Sequence, residues 1–289
     1  MKLSSGVRFM LFASFFFALM NVCVKLLPGI PAVEIIFFRS IISLVMSLTV
    51  LKYHHVSVWG NNPKILVARG FSGAIALILY FVTLQKIPLA SAATIQYLAP
   101  IFTAVLGIFI VKEKVKPIQW LFFITSFIGT LMIQGFDIRF TFLYLIIGVI
   151  SSFFSGLAYN IIRKLNTTEH PLVIVFYFPL VTLPITGIIS FFFWVQPQGI
   201  KEWGLLIVIG VLTQFAQYFM TRAYQTEELS KVAILKYIGI IYALSFGFVL
   251  FDEHFNLGTY LGMVVVLLGA VLNIWYKGRN TVQKHPALK

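Results

Sequence analysis

Polar side chains recur at three- and four-residue steps inside segments that are otherwise apolar. That spacing places them on one face of a helix, where they can form hydrogen bonds to a polar ligand. If the segments pack together, these faces predict the wall of a shared cavity. The candidate substrate-binding residues are Asn21, Gln96, Tyr97, Tyr159, Asn160, Gln214, Gln217, Tyr218, Arg222, Lys236 and Tyr237.

Lys236 is the strongest of these candidates, because it lies seven residues, or about 10 Å, into an apolar helix. In a membrane, a charge at that depth costs about 3 kcal/mol on insertion scales. One interpretation is a cation presented to a carboxylate or phosphate of a ligand. The alternative is that Lys236 reaches the aqueous edge or pairs with Glu227 or Glu228. Tyr97 and Tyr237 could likewise clamp a ring or polar head, or simply pack against other helices.

A second set of residues carries charges or kinks that could serve coupling, structure or gating. Helix-breaking prolines indicate candidate gates at Pro100, Pro179 and Pro184. The candidate coupling or structural charges are Lys25, Glu34, Arg39, Glu113 and Glu253.

Simple geometry suggests partners for several of these charges. Glu34 and Arg39 are five residues apart, too far round the helix for an ideal ion pair with each other. Glu113 ends a helix just before a new one, so its carboxylate can accept hydrogen bonds from the free N–H groups of that next helix. Arg222 and Lys25 are expected either to line an outer vestibule or to reach water.

The sequence lacks the motifs of several common enzyme and metal-site classes. The sequence contains no HExxH, GxSxG or Walker A motif and no cluster of histidines and acids at metal spacing. Its single cysteine, Cys23, excludes an internal disulfide and a thiolate zinc site. We therefore expect no enzyme, no catalytic residues, no metal and no cofactor.

The composition fixes the solvent in which these residues must work. The 289 residues are 60% hydrophobic and only 11% charged, with a mean hydropathy of +0.95. A soluble domain needs about a quarter of its residues charged, so the sequence predicts an all-α membrane protein. The net charge of +13 then indicates cytoplasmic loops and anionic lipid as partner, and not nucleic acid.

Ten segments are long enough to cross a bilayer, which takes about 20 apolar residues. With thirteen Lys and Arg on the side of the N-terminus and three on the other, both termini are expected in the cytoplasm and the protein in the inner or plasma membrane. We expect the first segment to be retained, because no small-x-small cleavage site precedes Pro28. The predicted spans are 8–27, 33–51, 65–85, 89–111, 117–134, 140–162, 171–194, 203–224, 229–251 and 257–276.

The chain also repeats itself at an offset of about 140 residues. Gln85 matches Gln225, and Glu113 matches Glu253. Since each copy has an odd number of five spans, the second enters the membrane from the opposite side. The sequence thus predicts ten transmembrane helices as two inverted five-helix repeats, residues 1–136 and 137–277, with a cytoplasmic tail at 278–289.

Two stretches carry a resemblance to a known family: PAVEIIFFRS from Pro31 and APIFTAVLGIFIVKEKVKPIQWLFFITSFIGTLMI from Ala99. With ten spans in two halves, the chain resembles EamA-type members of the drug/metabolite transporter (DMT) superfamily. The resemblance implies a cavity lined by the first, third, fourth, sixth, eighth and ninth spans. Because a similar Glu and Arg recur in the second span of this family, the resemblance implies that Glu34 and Arg39 pair structurally with other helices. It does not imply which substrate is carried.

These features predict a secondary active or facilitative transporter that works by alternating access. Deep cations without a deep acid favour an anionic or zwitterionic, amino-acid-like substrate, and facilitated diffusion or exchange over proton coupling, for which Glu34 is the only candidate. Alternatives are an exporter of cationic or aromatic drugs, a channel, and a non-transporting protein that acts on lipid-linked substrates. Monomer and homodimer both remain open.

Overall fold

Every regular element of the described chain is an α-helix. The computed structural model describes residues 4–87, 89–134 and 142–251, and thirteen separate positions between 257 and 276 that are also helical. Eleven helices have defined bounds: α1 (Ser5–Lys25), α2 (Ala32–Tyr53), α3 (Pro63–Lys86), α4 (Leu89–Gln96), α5 (Ala99–Ile110), α6 (Pro117–Gln134), α7 (Phe142–Lys164), α8 (Pro171–Phe192), α9 (Gly199–Thr226), α10 (Leu229–Leu235) and α11 (Ile238–Phe251). The prediction of an all-helical protein is confirmed for these residues.

Within the described residues, seven helical segments are long and apolar enough to span a membrane. They comprise α1, α2, α3, α8, α9, the part of α7 from Leu143 to Lys164, and the stretch Lys231–Phe251 that includes α11. Shorter apolar helices cover Ala99–Ile110 and Pro117–Gly129. Large apolar side chains such as Phe109 and Phe191 point outward, as expected when lipid surrounds the protein.

Prolines set several helix starts. Pro63 and Pro171 occupy the first turn of α3 and α8, where a missing N–H breaks no helical hydrogen bond. His170 caps α8 by accepting a hydrogen bond from the Leu172 backbone N–H at 3.3 Å. Burial lowers the pKa of His170, with a further contribution from the positive charge of Arg222, and the neutral imidazole is the form that can accept this bond.

Two predicted spans are each interrupted where one continuous helix was expected. Segment 89–111 breaks between α4 and α5, because Pro100 has no N–H to donate to the helical carbonyl four residues earlier. Segment 229–251 breaks between α10 and α11, where the Gly239 N–H instead bonds the Lys236 carbonyl at 2.9 Å. No proline stands at the second break, so proline explains only the first.

The helices pack in pairs around a central space. α1 lies along α9, α3 along α7, and α2 along α8. Small residues allow close approach at two of the remaining contacts: Gly70 of α3 lies against Val181 of α8, and Gly210 of α9 lies against Ile42 of α2. Residues from α1, α3, α7 and α9 consequently face the same interior.

Candidate functional site

The central space contains a cavity of about 140 Å³. This volume is close to the roughly 150 Å³ of a protein cavity that can bind benzene. Its polar lining comes from α1, α3, α4, α7 and α9 and from both helix breaks. The polar and charged lining residues are Ser14, Asn21, Arg69, Tyr80, Gln96, Tyr97, Ser155, Tyr159, Gln217 and Lys236.

Lys236 reaches the cavity from the break between α10 and α11. Its ammonium group donates to the Tyr159 hydroxyl at 2.5 Å and lies 4.1 Å from the centre of that ring. Glu227, one of the partners considered for it, instead pairs with Lys231 at 2.9 Å. Since the Tyr159 phenol is a neutral acceptor, this contact orients the charge of Lys236 without cancelling it.

Arg69 is a second cavity cation, and our selection of binding candidates missed it. Its side chain is 1% exposed, and it donates to Gln217 Oε1 at 3.0 Å. The guanidinium lies 4.4 Å from the centre of the Phe178 ring. Gly73, one turn later, makes room for it, because a Cβ there would lie 2.8 Å from Arg69 Nη1. A basic residue followed four positions later by glycine in an apolar helix was the available signal.

Amides and hydroxyls line the rest of the cavity. Asn21 donates to the Tyr80 hydroxyl at 3.0 Å, and Gln96 donates to Ser155 Oγ at 2.7 Å. Tyr80 was another omission from the predicted site. These groups can exchange bonds with a bound molecule, since amides and hydroxyls both donate and accept.

The two helix breaks meet beside the cavity through a tyrosine pair. The Tyr97 and Tyr237 rings are stacked with centroids 5.4 Å apart. Gly239 permits this arrangement, since a Cβ there would lie 2.6 Å from the Tyr97 hydroxyl oxygen. Tyr97 lines the cavity, whereas Tyr237 is fully buried behind it.

Not every predicted binding residue lies in the lining. Asn160 donates to the backbone carbonyls of Thr103 and Gly156, and Gln214 donates to Ser47 Oγ at 2.9 Å. Tyr218 packs on the apolar core and contacts the ring of Phe219. Asn160 thus joins α7 to α5, and Gln214 joins α9 to α2. A binding role for the predicted residues stays a prediction.

Arg222 lies at a different end of the bundle from the one expected. Its guanidinium sits 5.5 Å from the ring centre of Phe9, in the second turn of α1. It therefore shares the end of the bundle that holds the N-terminus. If the N-terminus is in the cytoplasm, Arg222 lies toward the cytoplasmic side and not in an outer vestibule, because α9 ends where α1 begins.

Glu34 and Arg39 are both buried and contact other helices or loops. Glu34 accepts from the Val195 backbone N–H at 2.9 Å. Arg39 lies 5.2 Å from the Phe178 ring centre and forms no hydrogen bond to described residues through Nε or Nη1. Lys25 lies 5.9 Å from the ring centre of Phe251.

Glu113 joins three segments at the N-terminal end of the bundle. It pairs with Arg163 at 2.7 Å and accepts from the Leu229 backbone N–H at 2.9 Å. Arg163 also donates to the Gln225 carbonyl at 3.1 Å. The helix that Glu113 serves is thus α10 and not the following helix α6. Its repeat partner Glu253 lies outside the described residues.

The proline candidates have distinct positions. Pro100 is in the first turn of α5, beside the first helix break, whereas Pro179 and Pro184 lie inside α8 without ending it. Thr182, between these two prolines, donates to the Phe178 carbonyl at 2.7 Å. A gating role for these prolines stays a prediction.

The cavity is positively charged. Arg69 and Lys236 both line it, and among the lining residues that the structure describes there is no Asp or Glu. No group of three or more metal-binding side chains occurs in the described part of the chain either. This chemistry suits an acidic group on an organic molecule.

Comparison with known proteins agrees with a membrane carrier. The sequence profile of the EamA-like transporter family matches residues 4–135 and 142–275. The chain is 31% identical over 271 residues to the pseudopaline exporter CntI of Pseudomonas aeruginosa (strain UCBPP-PA14), covering 93% of this chain and 95% of that protein. It is 24% identical to the S-adenosylmethionine uptake transporter of Rickettsia prowazekii (strain Madrid E), over 87% and 86% of the two chains.

Two further matches extend the similarity. Mouse solute carrier family 35 member G1 is 27% identical, with 94% of this chain and 80% of that protein covered. A crystal structure superposes with a TM-score of 0.81 over 96% of this chain and 99% of the other, at 16% identity. That structure therefore shares the fold.

Proposed function

Because this chain belongs to the EamA-like transporter family of the DMT superfamily, we propose that it moves a small polar organic metabolite, acidic or zwitterionic, across the cytoplasmic membrane. The observation that carries the proposal is the central cavity with Arg69 and Lys236 in its wall and no acidic residue among its described lining. A buried cation without a counter-ion is unfavourable. An acidic group on the substrate would supply that counter-ion.

Alternating access between two inverted five-helix halves is the proposed mechanism. The family profile matches the chain twice. Equivalent residues also make equivalent contacts: Gln85 donates to the Ile30 carbonyl at 2.8 Å, and Gln225 donates to the Glu169 carbonyl at 3.0 Å. Similarly, the repeat-related Gly70 and Gly210 each lie against a β-branched residue of the other half. Such correspondence supports two halves that can exchange conformations around a shared site.

The proposed topology has ten spans, with both termini in the cytoplasm. The fourth span comprises α4 and α5, the ninth comprises α10 and α11, and the tenth covers 257–276. The excess of Lys and Arg on the N-terminal side supports this orientation. On this basis, residues 1–136 and 137–277 form the two repeats, and the Glu113 ion pair lies on the cytoplasmic side.

The composition of the cavity wall favours facilitated diffusion or exchange over proton-coupled transport. A proton-driven carrier places a titrating carboxylate along its path, and the described lining provides none. Glu34 is buried at the end of the bundle near Val195 and not in the cavity wall. Transport by Glu34→Gln should therefore keep the wild-type rate and pH profile.

The experiment is a thermal-shift screen of purified protein, followed by counterflow in liposomes. The panel contains acidic, zwitterionic, neutral and cationic metabolites. A ligand stabilises the folded protein by an amount that grows with the logarithm of its concentration over Kd, which raises the melting temperature. We expect acidic or zwitterionic compounds to bind and exchange, and Lys236→Gln to weaken both effects. Lys64→Gln is the control, because Lys64 is exposed and does not line the cavity. Exclusive transport of cations, or no transport at all, would refute the proposal.

A further inference from the structure

The cavity contains two separate cations, and they differ in how they are held. Arg69 is fixed by Gln217 and Phe178, whereas Lys236 is fixed by Tyr159. They have no hydrogen-bond partner in common. Arg69 and Lys236 therefore form two distinct points of positive charge in one cavity wall.

Arg69 retains unused hydrogen-bonding capacity. Its Nε and Nη1 atoms are buried and have no hydrogen-bond partner among the described residues. A buried guanidinium ordinarily satisfies its donors, because an unpaired donor loses its hydration without compensation. These unsatisfied donors favour an acceptor beside the guanidinium, and Arg69 lines the cavity.

The surroundings of Arg69 add to the positive charge. Phe178 contacts Arg69 on one side and also lies 5.2 Å from Arg39. Neither arginine forms an ion pair with a described acidic residue. A ligand with one negative charge would leave at least one of the two cavity cations without a counter-ion.

From this arrangement we infer that the substrate carries two separated acidic groups, one bound by Arg69 and one by Lys236. The inference rests on the proposed transport function and narrows its substrate class to compounds with two acids. Gln217 acts as a positioning residue, because its carbonyl oxygen holds the Arg69 guanidinium toward the cavity. The amides of Asn21 and Gln96 remain for the neutral part of such a compound.

Matched pairs of ligands test the inference. The probes are succinate, aspartate, glutarate and glutamate, each compared with its mono-amide: succinamate, asparagine, glutaramate and glutamine. Each amide keeps the shape of its diacid and neutralises one charge. We expect at least one diacid to bind at least about tenfold more tightly than its mono-amide, as typical for loss of a buried charge pair.

Variants then assign the two charges. Arg69→Gln and Lys236→Gln should each reduce the ratio of diacid to mono-amide affinity to about one, since either change leaves only one cation. Lys64→Gln should preserve the ratio. Melting of each ligand-free variant separates lost binding from lost folding, and if Arg69→Gln does not fold, Lys236→Gln carries the test.

Three results would overturn the inference: no diacid binds, a mono-amide binds as tightly as its diacid, or the ratio persists in both variants. Counterflow distinguishes this failure from failure of the proposed function. If monoacids or ordinary zwitterionic amino acids exchange across liposomes, the chain transports acidic metabolites but does not require two acids. If no acidic or zwitterionic compound exchanges, the proposed function itself fails.

Discussion

The ion pair between Glu113 and Arg163 should be measurable as a coupling between two mutations. Glu113→Ala removes the 2.7 Å ion pair and the acceptor of the Leu229 N–H. Hydrogen bonds to charged groups contribute about 1.5–3 kcal/mol each, but both side chains are about one-fifth exposed, so water recovers part of that. We estimate a loss of about 2–4 kcal/mol for this variant.

A loss of that size should lower the melting temperature by about 5–10 °C in a chain of this length. Arg163→Ala should have a similar effect, because it also loses the bond to the Gln225 carbonyl. The double variant loses the shared bond only once. Its melting temperature should therefore fall by several degrees less than the sum of the two single effects.

Thermal unfolding of the four proteins in one detergent completes this double-mutant cycle. Lys164→Ala is the control, since Lys164 is an exposed neighbour of Arg163, and its effect should stay within about 0.5 kcal/mol. Additive effects of the two alanine changes would show that the ion pair contributes nothing, and the reasoning from distance and burial would be refuted.

Other contacts give independent tests. Gly210→Ala should lower the melting temperature, because the new Cβ would lie 2.6 Å from Ile42. Gly204→Ala in the same helix should raise the melting temperature slightly, because its Cβ would meet nothing within 4 Å. Equal effects of the two variants would contradict the close approach of α9 to α2. Tyr237→Phe should leave melting unchanged, since the buried hydroxyl has no hydrogen-bond partner among the described residues, but Tyr237→Ala should cost about 3 kcal/mol. Folding lowers the pKa of His170, so the stability of the protein should fall as the pH drops from about 6.5 through the folded-state pKa. His170→Asn keeps a helix cap and should flatten this part of the plot of melting temperature against pH. An unchanged plot would exclude His170 as the source of the pH dependence.

The apolar helices were predictable because their length and composition follow from the bilayer itself. Lys236 was predictable as well, since a charge deep in an apolar segment requires a reason. Arg69 escaped selection because it lies near the start of its segment, where a basic residue can also reach water. Sequence gives its depth along α3, but its burial depends on Phe178 of another helix.

Repeat symmetry had limits as a guide to the site. Asn21 and Asn160 match in the repeat, yet Asn21 lines the cavity while Asn160 bonds backbone carbonyls. Likewise, Tyr97 lines the cavity, whereas its repeat partner Tyr237 is buried outside the lining. Equivalent positions acquire different neighbours because the two halves differ in side chains, as at Pro100 and Ile240. The face of a helix that meets a cavity is therefore set by tertiary packing, which a single sequence does not reveal.

Cysteine accessibility tests the central claim, a cavity that opens alternately to the two sides of the membrane, most directly. With Cys23, the only cysteine, replaced by serine, Ser14→Cys introduces a thiol into the cavity wall and Phe12→Cys introduces one on the exposed apolar surface of the same helix. A membrane-impermeant thiol reagent is applied to intact cells and to inverted vesicles. We predict that Ser14→Cys reacts from both sides and that a transported ligand protects it, while Phe12→Cys stays unreactive. Reaction of Ser14→Cys from one side only, unaffected by ligand, would contradict alternating access.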